Sequence, residues 1–155
     1  MSDGHEKFLA MAIEEARKGL QKGEQPFGSV IVRNGEVVGR AYNTVNSSGD
    51  PTNHAETAAV RDASANLKGS DWKECTLYTS CDPCPMCAGA TMFSGIERLV
   101  IAARSAKLAE LRGESPRTYS AENLAGQMHM KLEVIRGLLQ SESEEVLAQF
   151  DWSTL

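Results

Sequence analysis

All four cysteines of the chain fall between positions 75 and 87, and three of them repeat as Cys81-x-x-Cys84-x-x-Cys87. Soft ligands packed this closely point to a metal or to redox chemistry. The opening residues, MSDGHEKFL, lack the cationic end and apolar run of an export signal. The expected compartment is therefore the cytoplasm, where a disulfide framework is the weaker reading. Cys84 and Cys87, three apart on a helix, turn their sulfurs to one side. An 81/84 pair competes with this, but the proline directly before Cys84 favours 84/87. Cys81 is then an apolar filler or pocket lining, and Cys75 a core residue of a strand.

A second group, His54-Ala55-Glu56, opens another predicted helix. One imidazole and two thiolates make three protein ligands. A tetrahedral ion so held keeps its fourth position for water, which is the pattern of a catalytic zinc. Helix starts favour thiolate over thiol, because unpaired N–H groups and the helix dipole stabilise negative charge there. Two thiolates also cancel the charge of Zn²⁺, so its water would benefit from a base. Glu56 lies roughly 200° around a helix from His54, poorly placed to bind the same ion yet able to stand beside that water. Each piece has a plainer reading: a structural zinc or redox pair, a satisfied polar His, a solvated Glu. The combination is far more specific. H-x-E followed 27 positions later (56 to 83) by P-C-x-x-C is the zinc deaminase signature, with the Glu as proton shuttle.

The rest of the chain sets the frame. Its 155 residues are expected to form one domain over 1–155, with a charge of 16 − 21 = −5 and 41% apolar residues. No apolar run approaches the ~20 residues of a membrane span, and the acidic balance argues against a nucleic-acid partner. The spacing predicts a one-faced helix over 5–22, with Phe8, Leu9, Ala12, Ile13, Ala16 and Leu20 on that face. Strands over 26–33 and 36–43 flank Asn34-Gly35, a hairpin signal. Residues 44–53 read as loop, and 54–67 as a helix with Thr52 and Asn53 as possible caps. A strand covers 74–80, a helix opened by Pro83 follows, and a buried strand covers 98–103. A helix over 105–112, irregular chain to 127, a strand over 130–137 and a helix over 141–150 complete the reading. This order predicts an α/β fold, a sheet of about five strands covered on both faces.

Across residues 5–104 the chain resembles the cytidine deaminase superfamily, in the branch of guanine, cytosine and tRNA wobble adenosine deaminases. PFGSVIV, DPTNHAETAAVR and LYTSCDPCPMCAGA carry the resemblance. It implies a three-layer α/β/α sandwich around a mixed five-stranded sheet. It implies one Zn²⁺ per subunit, with a bound water, held by His54, Cys84 and Cys87, and Glu56 as the catalytic acid/base of a hydrolytic deamination. Asn43 matches a position that touches the base, while Phe27 and Ala55 match pocket positions. Glu114 falls near a further acidic residue of the guanine deaminases. Asp151 and Trp152, with Phe150, stand where cytosine deaminases close their pocket. DPTNHAE and YTSCDPCPMC resemble guanine deaminases most, so a small free nucleobase is the expected substrate, guanine or a related aminopurine before cytosine. QMHMKLEVIRGLLQSESEEVLAQF resembles the tRNA-editing relatives, but SESEEVLAQFD contains no Lys or Arg. A homodimer is expected from the family. A non-catalytic zinc domain is the remaining reading, and it has no use for Glu56.

Overall fold

Residues 2–155 are described by a computed structural model. Helix α1 spans Ser2–Gln21. Strands β1 (Gly28–Arg33) and β2 (Glu36–Tyr42) flank the predicted turn, where Asn34 and Gly35 take φ of 50° and 79°. Both turn residues thus occupy the left-handed region that a tight hairpin of this kind demands. The loop to residue 53 holds one short helix, α2 (Val45–Ser48), which the sequence did not announce. Glu24 explains it: this buried carboxylate accepts the Asn46 and Ser47 N–H groups at 3.0 and 2.9 Å.

Helix α3 is Ala55–Ser64, strand β3 is Cys75–Cys81, helix α4 is Pro85–Ser94 and strand β4 is Arg98–Ala103. Helix α5 (Ser105–Arg112) stands where expected. Helix α6 (Ala121–Gln127) replaces part of the predicted irregular chain, its first turn capped by Ser120, whose side chain accepts from Asn123 N–H. Strand β5 is only Glu133–Ile135, and helix α7 is Gln140–Ala148. Trp152–Thr154 form a last 3₁₀ turn.

The sheet order is β2-β1-β3-β4-β5. β1 runs antiparallel to β2 and β3, whereas β3, β4 and β5 are mutually parallel. The sheet is therefore mixed and five-stranded, as expected. Alternation along the strands builds a core on each face. Val30, Val32, Val100 and Ala102 meet Phe8, Leu9, Ile13 and Val146 of α1 and α7 on one side. Ile31, Leu77, Leu99 and Ile101 meet Ala59, Ala63, Ala88 and Ala121 of α3, α4 and α6 on the other. The result is the three-layer α/β/α sandwich. Two glycines set how closely the layers approach. A Cβ on Gly28 would lie 2.2 Å from the Ala12 carbonyl oxygen, and one on Gly39 would lie 2.6 Å from that of Ala59. Both are far inside van der Waals contact, so α1 and α3 rest directly on strand backbone.

Candidate active site

The starts of α3 and α4 meet on one side of the sheet. His54 is the residue that enters α3 (φ −71°, ψ 162°), and Cys84 the one that enters α4 (φ −69°, ψ 169°). Two expectations are corrected here. The α3 cap position belongs to His54, not to Thr52 or Asn53. The helix-opening proline is Pro85, not Pro83. The reason is steric: a residue followed by proline is pushed out of the helical region, so Cys84 stays extended and the helix begins after it. Cys87 follows on the first turn.

This places three donors together. His54 Nδ1 lies 3.5 Å from Cys84 Sγ and 3.4 Å from Cys87 Sγ. All three donor atoms fall within 4.8 Å of one another. A tetrahedral ion about 2.0–2.1 Å from nitrogen and 2.3 Å from sulfur spaces such donors roughly 3.6 Å apart. The residues present therefore fit zinc. Cys84 is held far below the usual thiol range, at about 4, by the Cys87 S–H that donates to it and by His54. Cys87 is pushed up correspondingly by sharing its proton with Cys84, and His54 is raised by its bond to Cys84. Cys75 and Cys81 stand apart: both are buried in the core, and burial raises Cys75 to about 11 and Cys81 beyond that.

Glu56 sits in the first turn of α3 and is 6% exposed. Burial raises its carboxyl above the ordinary range, opposed by the Thr79 hydroxyl, which donates to Oε1 at 2.6 Å. Ser29 on β1 donates in turn to Thr79 Oγ1 at 3.1 Å. A chain of hydroxyls across two strands thus orients the carboxylate.

Glu56, His54 and Cys84 face a cavity of about 300 Å³. Phe27 and Asn43 line it as expected. Asn43 Oδ1 accepts the Val45 N–H at 3.1 Å, leaving its NH₂ for other partners. Ala55 is fully buried at the start of α3 and is not among the lining residues. Glu114, Asp151 and Trp152 are likewise not lining residues. Glu114 is exposed just beyond the left-handed turn at Gly113 that ends α5. Asp151 caps the last 3₁₀ turn through Ser153 N–H. Trp152 is buried, its ring 6.0 Å from Phe27 and 4.6 Å from Phe150, and its Nε1–H donates to the Leu147 carbonyl at 2.9 Å. It backs the cavity wall that Phe27 forms.

Other lining residues were not foreseen: Gln25, Asp82, Leu108, Arg112 and Arg117. Asp82 is already engaged, accepting Ser105 N–H at 2.8 Å and Arg136 Nη1 at 2.7 Å. Thr79 also escaped notice. A polar side chain inside a strand buried along its length was the available signal.

Comparison with known proteins agrees with this geometry. Residues 2–103 match the cytidine and deoxycytidylate deaminase zinc-binding region. A guanine deaminase of Bacillus subtilis is 42% identical over 107 residues, covering 68% of this chain and 69% of that protein. A tRNA-specific adenosine deaminase of Aquifex aeolicus is 39% identical over 104 residues, covering 67% and 69%. The solved structure of a guanine deaminase from Nitrosomonas europaea superposes with a TM-score of 0.81 at 28% identity, over 94% of this chain and 84% of that one. The chain belongs to the cytidine and deoxycytidylate deaminase family, zinc-dependent hydrolases that break C–N bonds.

Proposed function

We propose that the protein is a cytoplasmic deaminase of a small free nucleobase, guanine or a related aminopurine before cytosine, releasing ammonia. The observation that carries this reading is the buried Glu56 carboxylate beside the three metal donors, in a cavity of about 300 Å³ backed by the aromatic side chains of Phe27 and Trp152. That volume lies at the small end of ligand pockets. Zinc held by His54, Cys84 and Cys87 supplies the Lewis acidity that makes water a nucleophile near neutral pH. Glu56 takes the proton from the attacking water and passes it to the ring nitrogen beside the carbon bearing the amine. It then takes the proton of the newly added hydroxyl and hands it to the departing amine as the C–N bond breaks, so that water and the amino-heterocycle become the oxo-heterocycle and ammonia. Burial suits Glu56 to this exchange, since a shuttle works best with a pKa near the working pH. Asn43 NH₂ donates to an acceptor on the base.

Guanine comes first because the foreseen donor, Asn43, and the unforeseen Arg112 and Arg117 bring N–H groups to the cavity, which suits a base with three acceptors, O6, N7 and N3. A nucleic-acid substrate is disfavoured by the net charge of −5. No helix among the described residues is long and apolar enough to cross a membrane. Association as a homodimer is supported by one face of α4, where Phe93 is 76% exposed and Met86 38%. An apolar stripe of this kind gains by covering.

The test is ammonia release by zinc-loaded protein from guanine, cytosine, adenine, their nucleosides, aminotriazines and a tRNA anticodon stem-loop. Turnover of guanine above the others is expected. Release from the stem-loop alone, or from none of them, overturns the reading.

A further inference from the structure

Arg112 is the last residue of α5, and its side chain reaches the cavity that the metal donors enter from α3 and α4. Two neighbours hold the guanidinium in place. It lies 4.9 Å from the centre of the Trp152 ring, a stacking geometry favourable for a cation. Its Nη2 donates to Gln25 Oε1 at 3.4 Å. Trp152 is itself anchored by its bond to the Leu147 carbonyl and by Phe27 and Phe150. None of these neighbours is a carboxylate, and among the described residues Arg112 forms no salt bridge. Its Nε–H is buried without any acceptor. A buried donor left unmatched in the protein is a cost that a fold keeps only with a reason. Partial burial also lowers the pKa of this guanidinium from its ordinary value, opposed in part by the charge of Glu114.

The shape of a purine supplies the reason. In guanine the amine stands on C2; N7 is bonded to C5, the carbon diagonally opposite C2 in the six-membered ring, and O6 to C6 beside it. With C2 held at Glu56 and the metal donors, the O6/N7 edge points away from them. That edge offers two acceptors side by side and no donor, the pattern that a guanidinium matches with two parallel N–H bonds. Adenine and 2,6-diaminopurine place an amine donor at position 6, which faces Arg112 with the wrong polarity.

We infer that Arg112 is a specificity residue that reads the O6/N7 edge of a 6-oxopurine. This rests on the free-nucleobase reading above and sharpens it to bases with an oxygen opposite the reacting amine. Trp152 then acts through Arg112: it positions the guanidinium without touching the substrate.

The test compares guanine with 2-aminopurine, which keeps the reacting amine and N7 and lacks the oxygen. Ammonia release is measured for zinc-loaded wild type, Arg112→Gln and Arg112→Lys. The ratio of kcat/KM for guanine over 2-aminopurine is expected to fall tenfold or more in both variants, chiefly through a higher KM for guanine. Arg112→Lys keeps the charge and loses the paired geometry, so it separates recognition from a general field. Calorimetric binding of xanthine, which carries the same edge and no amine, should weaken tenfold or more in Arg112→Lys. Melting curves that match wild type exclude a folding defect in the lysine variant, and the guanine/2,6-diaminopurine ratio of wild type alone should exceed ten. Guanine turnover with a ratio and a xanthine affinity indifferent to Arg112 would overturn this inference and leave the preceding reading intact. Absence of ammonia from every free base would overturn both.

Discussion

The Thr79 hydroxyl donates to Glu56 Oε1 across 2.6 Å, from the middle of the sheet to the first turn of α3. The two residues belong to elements joined only through the tertiary fold, yet one orients the other. Thr79→Val removes this donor and leaves the buried carboxylate short of a partner. A hydrogen bond to a charged group contributes about 1.5–3 kcal/mol, so kcat should fall roughly tenfold or more. The pH profile distinguishes positioning from general damage. Burial raises the Glu56 pKa and the Thr79 bond lowers it. Losing the bond raises it further, and Glu56 must be ionised to accept the first proton. The acid limb of kcat/KM therefore moves to higher pH in Thr79→Val and returns in Thr79→Ser.

Glu56 and the metal donors should separate cleanly. Glu56→Gln is expected to keep one zinc per chain, read by atomic emission, while losing about 10²–10⁴ in kcat. Cys87→Ser should instead lose zinc and activity together. Retention of turnover in Glu56→Gln would remove the proton shuttle from the mechanism.

Chelation bears on stability as well as on activity. An ion bound only by the folded chain shifts the folding equilibrium by mass action. Dialysis of the holoprotein against a strong chelator should lower Tm, and added zinc should restore both Tm and turnover. The scanning calorimeter gives the answer, and an unchanged Tm would mean that the three donors do not hold an ion in solution.

Gly39→Ala tests the seat of α3. The new Cβ would meet the Ala59 carbonyl oxygen at 2.6 Å and the Ala63 Cβ at 2.7 Å. Overpacking of this kind costs about 1–3 kcal/mol, readable as a lower urea midpoint. Gly126→Ala, in α6 with nothing within 4 Å of the added carbon, should instead be neutral or gain up to about 1 kcal/mol.

Phe93→Lys probes the exposed face of α4. If a second copy covers this stripe, sedimentation equilibrium should show a wild-type dimer and a variant shifted toward monomer, with the zinc content of each chain unchanged. A wild type that sediments as a monomer would refute the homodimer.

What was legible in the residues, and what was not, divides along physical lines. The ligand set could be read because His54, Cys84 and Cys87 are rare residue types whose spacing has few other uses. The hairpin could be read because Asn34-Gly35 suits two left-handed positions. The start of α4 was misplaced because CDPCP offers two prolines, and only the conformation each imposes on its predecessor decides between them. Helix α6 was overlooked because it is short and leans on tertiary contacts, although Ser120 offered a cap. Arg112 was invisible for a different reason. A basic residue in the last turn of a helix is ordinary dipole compensation, and nothing local says that its side chain turns toward a cavity. Glu114 and Asp151 differ the other way: their positions suited a pocket, but neither lines the cavity, Glu114 being exposed beyond Gly113 and Asp151 holding a cap bond.

His54 and Cys84 each occupy the threshold of a helix, so neither helix alone carries the full ligand set: α3 brings one donor and α4 brings two. Ion capture therefore reports docking, not helix content. A cobalt-loaded chain would serve as its own optical gauge of refolding, with thiolate-to-metal absorption reaching full strength only when the two thresholds come into register.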